Sequence, residues 1–132
     1  MQKLIEELRK MPHLEVEEFR PAGKYSGLTQ IMHVLRIKFK RRGSVTPETI
    51  KELAARRGES REYSIGDRRA PRIEYSITLF HSRPEDRPPF VQIDLLRNTK
   101  LPTIELLTRG ITPALRTKLV KLFSELGEPT QN

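Results

Sequence analysis

Three stretches of this chain alternate apolar and polar residues with a period of two, which is strand geometry, because successive side chains on a strand point to opposite faces. The longest, IMHVLRIKFKRRG over 31–43, sets Ile31, His33, Leu35, Ile37 and Phe39 on one face and Met32, Val34, Arg36, Lys38 and Lys40 on the other. RIEYSITLFHS over 72–82 repeats the pattern with Ile73, Tyr75, Ile77 and Leu79 inward, and FVQIDLLR over 90–97 does so with Val91, Ile93 and Leu95. The shorter HLEVEEFR adds a strand with Leu14 and Val16 on one side and acids on the other. A strand that is apolar on one face only must bury that face against something else.

Amphipathic helices supply the cover. In MQKLIEELRK and the residue after it, Leu4, Ile5, Leu8 and Met11 share one helical face, and Pro12 ends the helix. SVTPETIKELAARRG carries Thr46 as N-cap, Pro47 in the first turn and Gly58 as C-terminal cap. LPTIELLTRG reads as a short helix closed by Gly110, and ITPALRTKLVKLFSELG as another, capped by Thr112 and stopped by Gly127. In that last segment Leu115, Leu119, Leu122 and Leu126 have coiled-coil spacing over less than two heptads, so packing on the chain's own sheet is the expected use. Residues 58–72 read as a long basic loop or arm, and RPEDRPP as a proline-stiffened hairpin connection. The expected fold is α+β: a four-stranded antiparallel sheet with helices packed on one face and the other face an open cleft. One domain spans 1–127, and 128–132 form a frayed tail.

Several function classes are excluded or disfavoured. With no cysteine there are no disulfides or thiolate metal sites. No apolar run approaches the roughly 18 residues of a membrane span and no signal-peptide core is present, so a cytoplasmic protein without membrane contact is expected. His13, His33 and His81 have no metal-ligand spacing and no phosphate-cradling glycine loop occurs, so neither metal nor cofactor is expected. Alternation puts Glu74 and Asp94 on the same open face, where they could share a divalent metal in a nuclease. The lysine such a site would need two positions after Asp94 is replaced by Leu96, and a binding protein rather than an enzyme is the preferred reading.

The formal charge is +8, and its location matters more than its size. Residues 31–72 hold twelve Lys and Arg against five Asp and Glu, which accounts for +7 of it. A field gathered in one third of a chain suits a polyanion. On the open face, bases of single-stranded DNA would stack on Met32, Val34, Phe80 and Phe90, with Tyr25 and Tyr63 contributed by loops. Phosphates would follow Arg36, Lys38, Lys40, Arg41 and Arg42, extended by Arg56 and Arg57 at a helix end and by Arg61, Arg68, Arg69 and Arg72 on the arm. The arm would close over the bound strand, with Tyr63 on a base. Single-stranded RNA is the close alternative, because stacking and phosphate contacts are common to both.

The strand–helix order, the basic flank in RIKFKRR and AARRG, and the acid-poor strand with its apolar start resemble the ThermoDBP single-stranded DNA-binding proteins of hyperthermophilic archaea and their shorter relatives. The resemblance covers most of the chain and lies in layout and composition. It implies a four-stranded sheet cradled by helices, sequence-tolerant binding of single-stranded DNA in an apolar cleft with basic flanks, and assembly into homo-oligomers, dimers or tetramers.

Overall fold

The computed structural model describes residues 2–19, 33–56, 60–67, 70–80 and 89–127, with backbone alone at 56, 60–67 and 70–71. In chain order the elements are α1 (Gln2–Arg9), β1 (Leu14–Phe19), β2 (His33–Phe39), α2 (Pro47–Arg56), β3 (Ser60–Asp67), β4 (Ala70–Leu79), β5 (Phe90–Leu96), β6 (Thr103–Arg109) and α3 (Pro113–Glu125). The α+β class is as expected, but the sheet has six strands rather than four, in the order β1-β2-β6-β5-β4-β3, with every neighbouring pair antiparallel.

Two segments account for the difference. Thr103–Arg109, expected to be helical, is the strand β6 and fills the centre of the sheet between β2 and β5. Its inward row, Ile104 and Leu106, is fully buried, and seven residues between Pro102 and Gly110 are a strand's length rather than a helix's. Residues 60–67, expected to be loop or arm, form the edge strand β3 on β4, with irregular register at Ser60/Glu62 and Ile65/Asp67. Glycine and polar residues hid the pattern, and main-chain pairing with an already formed neighbour overrode the weak local preference.

The helices begin where their caps put them. Thr49 N donates to Thr46 Oγ1 at 3.2 Å and Thr46 N donates to Thr49 Oγ1 at 2.8 Å, a reciprocal box that satisfies two otherwise orphaned donors of α2. Thr112 Oγ1 accepts from Leu115 N at 3.2 Å at the start of α3, just ahead of Pro113. One core then joins the helices to the inward rows of the strands: Leu4, Ile5 and Leu8 of α1, Ile50 and Leu53 of α2, and Leu119, Leu122 and Phe123 of α3 pack with Leu35, Ile37, Phe39, Tyr75, Ile77, Ile93, Ile104 and Leu106. Each such side chain contributes about 1.5–3 kcal/mol by leaving water. The leucine row of α3 is therefore taken up inside the chain's own core, with Leu126 beside it and Leu115 packed against its edge. Among the described residues no helix is long and apolar enough to cross a membrane.

Candidate functional site

The sheet face turned away from the helices carries the side chains that composition singled out. Its antiparallel registers line them up in rows: Glu15–Lys38–Thr103; then Glu17–Arg36–Glu105–Asp94–Ser76; then Phe19–Val34–Leu107–Gln92–Thr78. Side chains opposite each other in such rows sit about 4.5–5.5 Å apart at Cβ. The row Arg36, Lys38 holds no acid along its own strand, but the neighbouring strands place Glu15 opposite Lys38 and both Glu17 and Glu105 opposite Arg36. Alternation within one strand cannot show this; cross-strand pairing can.

Arg36 is accordingly engaged. Its Nη2 donates to Glu105 Oε2 at 2.9 Å, and its guanidinium carbon lies 4.3 Å from the centre of the Phe19 ring. Beside this pair Asp94 is 4 % exposed, and its Oδ1 accepts from Ser76 Oγ at 2.6 Å and from Gln92 Nε2 at 2.8 Å. Burial pushes the Asp94 carboxyl above its ordinary range and the facing Glu105 adds to the rise, while the bonds from Ser76 and Gln92 and the charge of Arg72 oppose it. The middle of the face is thus an internally bonded polar network rather than an open basic track, although Arg36 Nε is buried without a hydrogen-bond partner.

Of the expected stacking residues, the three that are described, Val34, Phe80 and Phe90, are not laid out as an exposed platform. Val34 and Phe90, 3 % and 4 % exposed, form a small buried cluster with Phe19 and Leu107 packed against it, so this part of the face is not the open cleft anticipated. Phe80 has φ +58 in the turn after β4, which breaks the alternation. Its ring packs on the helical core, 5.7 Å from Lys118 Nζ of α3, not on the opposite face. Glu74 is also displaced: the register shift between Ile73 and Tyr75 leaves it out of the pairing with β5, and it lines a separate cavity with Thr46 and Pro47. The pair Glu74 and Asp94 is therefore not assembled; the acid facing Asp94 is Glu105. Among the described residues no group of three or more His, Cys, Asp or Glu could hold a metal ion. Tyr25, Met32, Arg57, Arg68 and Arg69 lie outside the described residues, as do the side chains of Arg56, Arg61 and Tyr63.

What the fold does assemble is at one end of the sheet. Lys38, Lys40, Arg41 and Arg42 are exposed where β2 runs into the turn before α2, and Arg97 and Lys100 are exposed on the turn between β5 and β6. The turns are neighbours because β6 lies against β2, with Phe39 N donating to Pro102 O at 2.8 Å. Arg97 N also donates to the carbonyl of Arg72, whose side chain is exposed nearby. Between the turns opens a groove of about 850 Å³. Its apolar lining includes Val16, Leu96 and Leu101, with Lys38, Arg42 and Lys100 as bases and Glu15 and Glu17 as acids, and Arg36 at its inner end.

Leu96, Lys100 and Leu101 line this groove, and Arg97 is exposed on the same turn, but all four are absent from the residues selected by sequence. Assigning 101–110 to a helix hid the hairpin turn. Its signal was RNTK, basic residues bracketing an asparagine, and Asn98 takes the left-handed backbone (φ +61) that asparagine tolerates well. No family model, characterised protein or solved structure matches this chain.

Proposed function

We propose that the protein binds single-stranded nucleic acid through the basic end of its sheet, with phosphates held by Lys38, Arg42, Arg97 and Lys100 and bases resting in the groove between the two turns. The observation that carries this is the convergence of two turns, distant in sequence, whose exposed side chains are mostly cationic, around a groove with an apolar lining. Lys and Arg at a groove mouth follow a phosphate backbone whatever its sequence, and apolar walls suit unpaired bases better than a paired helix. A net charge of +8 favours encounter with any polyanion. Arg36, bound to Glu105, is a wall of the site rather than a phosphate ligand. DNA is the preferred strand; RNA presents the same phosphates and bases, and direct comparison decides between them. The charge pattern behind the resemblance to the ThermoDBP proteins supports the reading, whereas the element order behind it differs from the fold described above.

The test is fluorescence anisotropy with labelled single-stranded DNA, single-stranded RNA and duplex DNA of equal length at several salt concentrations. Single strands should bind more tightly than duplex. Each of Lys38→Gln, Arg42→Gln and Lys100→Gln should reduce the slope of log K against log salt by about 0.7. Equal affinity for duplex, or slopes untouched by all three substitutions, would overturn the proposal.

A further inference from the structure

The turn between β2 and α2 sends its bases to two sides. Lys38 and Arg42 line the groove on the sheet face turned away from the helices. Lys40 and Arg41, between them in sequence, line a different cavity of about 530 Å³ on the helical side, together with Met11, His13 and Ser124. That second cavity is walled by fixed structure. Lys40 N donates to His13 O at 3.1 Å, and a ring nitrogen of His13 donates to Phe123 O at 2.8 Å, tying the α1–β1 connection to the last turn of α3. The turn is braced as well, with Ser44 Oγ donating to Arg41 O at 2.7 Å. Gly43 of the same turn has φ +66 and lines the separate cavity that holds Glu74.

Resting on the function proposed above, we infer that the bound strand does not end in the groove but crosses the turn at 40–42 and continues into the second cavity, so that the site has two halves straddling one turn. Charge complementarity is continuous along this path, because Lys38 and Arg42 stand on the groove side and Lys40 and Arg41 on the other, so a backbone that crosses the turn meets cations before and after it. A ligand long enough to engage both halves gains the second contact intramolecularly, and one confined to the larger groove does not.

Fluorescein-labelled oligothymidylates of about 6 and about 16 nucleotides, within the span of known single-strand sites, separate the possibilities. The double variant Lys40→Gln, Arg41→Gln should weaken the long strand about tenfold and leave the short one within about twofold, while Lys38→Gln, Arg42→Gln should weaken both. Both pairs are exposed, and unchanged thermal unfolding of each variant verifies that the fold is intact. If the Lys40, Arg41 variant binds the long strand like wild type, or loses both lengths equally, the two-sided path is wrong while groove binding stands. If wild-type protein binds neither oligonucleotide, the proposed function falls and this inference with it.

Discussion

Gly127, just beyond α3, shows how closely a single position can be specified. Its φ is +73, and a Cβ there would lie 2.5 Å from Phe39 Cδ1 and 3.2 Å from Val45 Cγ2. The Phe39 ring has little freedom to give way, being fully buried and stacked on Phe123 with ring centres 6.5 Å apart. Gly127→Ala should therefore cost about 2–5 kcal/mol, left-handed strain plus overpacking, whereas Gly43→Ala, with the same backbone hand but open surroundings, should cost about 1–2 kcal/mol. Urea unfolding of both variants checks the difference. Asp94 makes the opposite kind of prediction. Its folded-state pKa is raised, so the fold favours the protonated carboxyl; the stabilisation is fully present below the ordinary value of 3.8 and is lost as pH rises through the folded value. At neutral pH an ionised Asp94 is then a cost. Asparagine keeps an Oδ1 to accept from Ser76 and Gln92 and removes the charge facing Glu105. Asp94→Asn should be more stable than wild type at pH 7, with the advantage shrinking as pH falls toward 4, as measured by denaturant midpoints across pH. A variant less stable at pH 7 would show that the ionised carboxylate has a stabilising partner.

At the scale of elements, β6 decides the architecture, and its two central leucines give it a direct test. Leu106 is fully buried in the helical core while Leu107 lies on the other face, half-buried. Leu106→Ala should cost about 2–5 kcal/mol and Leu107→Ala clearly less, the signature of a period of two. Equal costs would contradict the strand. How far the sequence foretold these elements follows from the same physics. β1, β2, β5 and most of β4 were legible because each alternates over its own length, and α2 and α3 because threonine caps and N-terminal prolines announce them. β6 is hidden because TIELLTR satisfies helical spacing about as well as alternation over seven residues. The site was less legible than the fold. The turn bases Lys38, Lys40 and Arg42 could be picked out by charge, but whether a strand's second face is open depends on its neighbours, and those enter only through pairing. Glu105 opposite Arg36, 69 residues away, could not be read from either segment alone. Nor could the burial of Phe90 or the backbone reversal at Phe80.

For the whole molecule, the net charge understates how the field is arranged. Glu15 and Glu17, on the edge strand β1, line the same groove as Lys38, Arg42 and Lys100. Their presence moderates the attraction that the bases exert on a polyanion. Replacing both by glutamine should raise the association rate for single strands about two- to tenfold at low salt, with the gain fading once the Debye length drops below about 10 Å, as stopped-flow kinetics would show. A fall in affinity would mean that these carboxylates touch the ligand. The sheet's strand order has its own consequence for synthesis. A ribosome delivers β1 and β2 first and β3 to β5 next, and β6, which must lie between β2 and β5, only afterwards. Until Thr103–Arg109 has left the exit tunnel, the nascent chain carries two ribbons whose future central edges, on β2 and β5, are both unpaired, and each is a template for another nascent copy. The interval between the emergence of β5 and that of β6 is thus when the nascent sheet is most open to mispairing.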